Sequence, residues 1–334
     1  MNDLDRLLTR MIELDASDIH LNHNTYISFR IDGQMQQSNI KILGDDIFQL
    51  VLPALSSEQQ RTFSIKKGID FSHEIDGTRF RGSLIRQKGE PSCVMRRIND
   101  TIWTMDELGL PDIIRRLANR KWGMLLVTGP TGSGKSTTLA SIVDYINETK
   151  PYHIATIEEP LEYIHQNKMS IVTQREVGKD VDSFAESMRD VLRQDPDVIL
   201  VGEMRDYETI SSAVTNAETG HLVLGTLHTN TAPQTINRIM DAYTPDQQLT
   251  VRGQLASNLI GIINQRLFPK PGGGRTALYE ILVIDEDMRA LIRNGQSELM
   301  YEEMEKKKDQ GNVLMKDSIA EAKKKGLIFQ DVEW

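Results

Sequence analysis

The stretch Gly129-Pro130-Thr131-Gly132-Ser133-Gly134-Lys135-Ser136-Thr137 carries the plainest chemistry in the chain. It fits the G-x-x-x-x-G-K-[ST] pattern in full, with an apolar run at 124–127 before it and a helical pattern after it. Glycines in such a loop let the backbone curl so that successive N–H groups face phosphate oxygens. The start of a helix adds a favourable dipole. Lys135 would reach the β- and γ-phosphates of a nucleotide, and Ser136 would offer its hydroxyl to Mg²⁺.

Three further segments could complete a phosphate-cleaving site. In Asp197-Val198-Ile199-Leu200-Val201-Gly202-Glu203, apolar residues deliver an acid to the end of an expected strand. From there Glu203 could hold Mg²⁺ or its water. In Thr156-Ile157-Glu158-Glu159-Pro160-Leu161-Glu162, one carboxylate could polarise an attacking water. By residue chemistry the same cluster reads equally well as a solvated acidic turn. In the segment 219–230, His221 precedes an apolar strand, and Thr226 and His228 lie at its distal end. Those two could donate to a γ-phosphate, and a satisfied structural histidine competes at both His221 and His228.

These groups need a scaffold that gathers strand ends. Apolar runs at 124–127, 154–157, 198–201 and 222–224 alternate with helical patterns near 135–147, 183–193 and 207–218. Such runs suit strands covered on both faces, as in a parallel α/β sheet. Residues 1–103 have a different texture. Leu4, Leu7, Leu8, Met11 and Ile12 recur at helical spacing. Alternating runs then meet at Asp32-Gly33 and Asp76-Gly77, both hairpin signals, with a helix expected over 45–63 between them. The expectation is a small N-terminal α+β domain, a linker at 104–112 and an α/β domain at 113–334. In the linker, Thr104-Met105-Asp106-Glu107 has the capping-box pattern, and Gly109 and Pro111 interrupt helix. The tail from about Asp285 reads as charged helix, and its lysine runs 306–308 and 323–325 as solvated faces.

Composition narrows the class. Formal net charge is −9, which disfavours a non-specific nucleic-acid binder. Cys93 is the single cysteine and sits in an apolar stretch, so a buried, inert thiol is expected. The first residues have no signal-peptide pattern, and no run approaches the roughly 18 apolar residues of a membrane span. A cytoplasmic protein is expected, working at a membrane only through partners.

In this order, the four segments resemble the PilT/PilU family of type IV pilus retraction ATPases, and more broadly the type II/IV secretion ATPase superfamily. The acidic box, the Walker B strand and the His box of that family look like 158–163, 199–206 and 220–230. Tyr163-Ile164-His165-Gln166, 172–178 and 192–197 are similar to its connecting segments. The resemblance spans nearly the whole chain and points to the PilU-like branch. It implies a RecA-like P-loop ATPase domain behind a PAS-like N-terminal domain, ATP and Mg²⁺ as ligands, and a ring of six copies. It also implies an inner-membrane platform protein as partner, with a paralogous retraction ATPase as a further one. Glu162 or Glu158 would activate water, Glu203 would govern Mg²⁺, and Arg81 and Arg96 of the N-terminal domain would meet ATP. Arg205 would be a sensor.

Two departures stand out. The family's Glu-Asp-Pro is Glu158-Glu159-Pro160 here, and its Ala-Ile-Arg-Asn-Leu-Ile-Arg segment is matched only by Asp287-Met288-Arg289-Ala290-Leu291-Ile292-Arg293. The tetracysteine site of the related assembly enzymes has no counterpart, which favours the retraction branch. Retraction is the expected task. Assembly, secretion traffic or an accessory role beside a more active paralogue are the alternatives.

Overall fold

The computed structural model describes residues 2–31, 33–98 and 101–332. Contacts divide the chain into two compact units, Met1–Thr101 and Ile102–Trp334.

The first unit opens with the helix Asp3–Glu13, which buries Leu4, Leu8 and Met11 and is closed at its start by an Asn2/Asp5 capping box. Six antiparallel strands follow: β1 (Asp18–Leu21), β2 (Thr25–Ile31), β3 (Gln34–Ile42), β4 (Gly68–Ile75), β5 (Thr78–Gln87) and β6 (Glu90–Ile98). Among the described residues they form one sheet of order β3-β2-β1-β6-β5-β4. Alternation sends Ile19, Leu21, Phe29, Phe80, Leu84, Cys93 and Met95 to the core face. Asp76 and Gly77 take φ of 49° and 78°, the left-handed pair that a tight hairpin turn requires. Lys88-Gly89 turns the β5–β6 hairpin the same way, at φ 54° and 90°, although its sequence gives no such signal. Asp32, half of the other expected turn, lies outside the described residues. Cys93 is buried, and burial pushes its thiol up to about 12, so it is inert at neutral pH.

The helix expected over 45–63 is broken. Gly44–Val51 and Ser57–Lys66 are separate helices joined by a short 3₁₀ turn, Leu52–Ala54. Pro53 cannot continue the first helix, and Ser56 starts the second by exchanging hydrogen bonds with Gln59.

The second unit carries β7 (Gly123–Thr128), β8 (His153–Glu158), β9 (Ile171–Glu176), β10 (Val198–Val201), β11 (Leu222–Leu227), β12 (Leu259–Pro269) and β13 (Arg275–Val283). Among the described residues their order is β13-β12-β7-β11-β10-β8-β9. All neighbours are parallel except β12 and β13. Every residue of β7, β10 and β11 is buried, as expected for strands covered on both faces. Helices Lys135–Thr149, Phe184–Asp190 and Tyr207–Glu218 connect them. The segment expected as a linker packs within this unit, with Met105 and Leu110 in its core. Thr104 and Glu107 do make their reciprocal capping bonds, but only a turn follows.

The tail is helical at Glu286–Asn294, Met300–Lys306 and Met315–Lys324. Its lysine runs are not uniformly solvated. Lys307 is largely buried and pairs with Asp285, Asp287 and Glu303, tying two of these helices together. Spacing alone cannot tell a solvated lysine from one whose acidic partners arrive from a distant helix. No helix among the described residues is long and apolar enough to cross a membrane.

Gly82 lies on the core face of β5, where an added Cβ would come within 2.1 Å of the Phe71 ring. Gly82→Ala should therefore destabilise the first unit by about 1–3 kcal/mol. Urea unfolding checks this, and an unchanged midpoint would contradict the packing described.

Candidate active site

Strands β7, β11, β10 and β8 lie side by side and parallel, so their carboxyl ends share one sheet edge. Ligand sites of open parallel sheets form at such edges. Each strand delivers one of the four sequence segments there: the glycine-rich loop after Thr128, His228 after Leu227, Glu203 after Val201, and the acidic loop at Glu158.

The glycine-rich loop curls as its composition demands. Gly129, Gly132 and Gly134 have φ of 142°, 75° and 86°, which side chains rarely allow. At Gly129 a Cβ would also come within 2.3 Å of the Gln265 carbonyl oxygen. The Ser133 hydroxyl is buried and has no hydrogen-bond partner among the described residues. The helix Lys135–Thr149 starts directly from the loop. A curled backbone, an orphaned buried hydroxyl, a helix start and a buried ammonium together fit a polyphosphate.

Lys135 is buried and donates from Nζ to the carbonyls of Gly129 at 3.0 Å and Pro130 at 3.1 Å. Burial depresses its ammonium below the usual lysine range, against the pull of Glu203 and Glu162. His228 links this cation to the acid of the next strand. Its Nδ1 is 3.4 Å from Lys135 Nζ and its Nε2 is 3.1 Å from Glu203 Oε1. Arg205 Nη2 donates to Glu203 at 2.6 Å, and Arg205 Nη1 to Glu159 at 3.3 Å. Burial opposes the charge on Glu203, but Arg205, His228 and Lys135 outweigh it and hold the carboxyl below its ordinary range. Glu203 is thus an anion set to face a cation or an ordered water.

The acidic cluster separates into unlike groups. Glu158 is half-buried, accepts from Thr156 Oγ1 at 2.8 Å, and is pushed up to about 7 by the desolvation of its carboxyl. Glu162 is exposed, and its charge is felt by both Lys135 and Glu158.

Some expected contributors are engaged elsewhere. Thr137 Oγ1 is 2.8 Å from the Tyr163 hydroxyl, joining the helix to the acidic loop. Thr226 Oγ1 donates to the Gly202 carbonyl at 2.5 Å, so its hydroxyl braces the Glu203 turn instead of facing phosphate. His221 lies at the opposite end of β11, where Nδ1 meets the Asn216 carbonyl at 3.0 Å; it is structural.

Arg81 and Arg96 belong to the first unit, where they face each other across β5 and β6. Arg96 Nε donates to the buried Asp18 carboxylate at 2.7 Å, yet most of the Arg96 side chain is exposed. Arg81 is half-exposed and only loosely paired with Asp70, at 3.5 Å.

Two residues near the loop were not singled out from sequence. Gln265 Nε2 donates to the Ser133 carbonyl at 2.7 Å while its Oε1 accepts from Thr138 Oγ1 at 2.6 Å. Asn264 Nδ2 donates to Thr128 Oγ1 and to the Thr229 carbonyl, each at 2.9 Å. A signal existed: Asn264-Gln265 interrupts the apolar run 259–263, and buried polar groups require partners.

The family model for Type II/IV secretion system protein matches residues 1–271. The type IV pilus retraction ATPase PilT of Pseudomonas aeruginosa is 43% identical over 301 residues, covering 90% of this chain and 88% of that one. The type IV pilus ATPase PilU of the same organism is 39% identical over 312 residues, covering 92% and 82%. Of these two, the PilT protein shares the higher identity, although the sequence points to the PilU-like branch. A crystal structure of the pilus retraction motor PilT with bound ADP superposes with a TM-score of 0.92 at 45% identity, covering 99% of this chain and 95% of that one.

Because burial raises Glu158, the folded chain holds a proton there more tightly than the unfolded chain does. Stability therefore falls as pH rises from the ordinary 4.5 through about 7. Glu158→Gln should be more stable than the natural chain by up to about 3 kcal/mol at about pH 8, and nearly equal at about pH 4. Urea unfolding at both pH values checks this, and a difference independent of pH would contradict it.

Proposed function

The chain belongs to the Type II/IV secretion system protein family, and we propose that it is an ATP-hydrolysing motor that powers retraction of type IV pili. The observation that carries this reading is the convergence of the curled loop, Lys135, His228 and Glu203 at one edge of a parallel sheet, in a chain so similar to a pilus retraction motor.

Residues 129–137 hold the phosphates through backbone N–H groups and the ammonium of Lys135. Ser136 and Glu203 would hold magnesium together with phosphate oxygens, and the ion would neutralise charge building between the β- and γ-phosphates. Glu162 is the preferred base, because it is exposed while Glu158 is half-buried and engaged by Thr156 and Gln174. His228 lies between Lys135 and Glu203, where it can report whether a phosphate separates them. Arg81 and Arg96 supply guanidinium groups to ATP of the same or a neighbouring copy, the role of an arginine finger.

On this reading the chain acts as a homohexamer. Hydrolysis drives a conformational stroke, which passes to an inner-membrane platform protein. A paralogous retraction ATPase is a further partner, and the motor is cytoplasmic, held at the membrane through these contacts.

Lys135→Ala should weaken nucleotide binding at least tenfold, roughly, while Glu203→Ala should keep binding and lose turnover roughly a hundredfold or more. Calorimetry and phosphate release separate the two; intact affinity in the lysine variant would remove the site. Deleting the gene should leave cells with excess surface pili and no twitching. Loss of pili would assign the motor to assembly instead.

A further inference from the structure

The acidic loop that carries Glu162 has no regular secondary structure between β8 and β9. A catalytic carboxylate there needs its backbone held by side chains, since no ladder or helix holds it. One residue of the neighbouring edge strand meets that need. Gln174 on β9 pairs with Thr156 of β8 in register, and its amide reaches over the strand to the loop. Its Oε1 accepts the His165 N–H at 2.8 Å. Its Nε2 donates to the Tyr163 carbonyl at 2.8 Å and lies 3.5 Å from Glu158 Oε1.

The loop is held from other directions as well. Two residues along the same strand, Glu176 Oε2 accepts the Leu161 N–H at 3.3 Å. The Tyr163 ring, anchored at its carbonyl by Gln174, places its hydroxyl 2.8 Å from Thr137 in the helix that begins at Lys135. Residues before and after Glu162 are therefore fixed, while the Glu162 side chain is left exposed. Alternation explains why β9 can do this, because Gln174 and Glu176 share one face of the strand.

We propose that Gln174 is a positioning residue for the hydrolysis step: its amide fixes the loop so that the Glu162 carboxylate is held at a set distance from the phosphate-binding loop. Gln174 itself touches neither nucleotide nor magnesium. The proposal rests on the reading of Glu162 as the base.

Gln174→Met keeps the side-chain volume and removes both hydrogen bonds. Gln174→Glu keeps the acceptor for His165 but turns a carboxylate toward the Tyr163 carbonyl and Glu158. Both should lower kcat roughly 10- to 100-fold, the cost of misplacing a catalytic group by about 1 Å, while Mg–ADP affinity stays within about twofold. In a Glu162→Gln background, Gln174→Met should cause no further loss of residual turnover, because the group it positions is gone.

Unchanged kcat in a folded Gln174→Met protein, with Glu162→Gln inactive, would overturn the proposal and leave the base reading intact. Full turnover in Glu162→Gln would overturn the base reading and the proposal with it. Parallel loss of kcat, ADP affinity and thermal stability in both Gln174 variants would make the residue merely structural and also overturn the proposal.

Discussion

The Lys135 ammonium, turned onto the carbonyls of Gly129 and Pro130, is the contact around which the second unit is arranged. A buried cation is costly unless oxygens surround it, and here the loop supplies them from its own backbone. That requires the loop to curl, which requires positive φ at its glycines. Charge continues from the cation through His228 to Glu203 and on to Arg205 and Glu159. These groups come from four different strand ends, so the network exists only if the parallel order β7-β11-β10-β8 is kept.

The first unit solves a related problem with different parts. Arg96 is a long, exposed cation, and its entropy would blunt any contact it made. The buried Asp18 carboxylate takes its Nε and so fixes one end of the guanidinium, while most of the side chain stays exposed. Burial opposes the charge on Asp18, but the Ser17 hydroxyl and Arg96 outweigh it and lower its pKa. Arg81 stands opposite in register and is held far more loosely.

Much of this arrangement was legible in residues 124–137 and 197–203, because an apolar run ending in glycines or an acid dictates both a strand and the turn that closes it. The Asp76-Gly77 hairpin was legible for the same reason: local φ preference decides it. Long-range polar pairings were not. Gln265 reaches Ser133 and Thr138 across more than a hundred residues, and Gln174 reaches Tyr163 and His165 across a strand edge. Neither leaves a periodicity. The different surroundings of Glu158 and Glu162 were also hidden, because only the fold gives two carboxylates four residues apart unlike exposure. The break at Pro53 and the partly buried Lys307 show the opposite error, in which a smooth local pattern concealed a proline stop and a distant acidic partner.

All of this presumes that the loop after β7 takes up a phosphate chain. Calorimetric titration of the intact, folded protein with ADP and magnesium measures that uptake directly. The account predicts saturable binding that disappears when the phosphate groups are removed from the ligand, as with adenosine. Absence of any binding heat from ADP, or equal binding of adenosine and ADP, would contradict it.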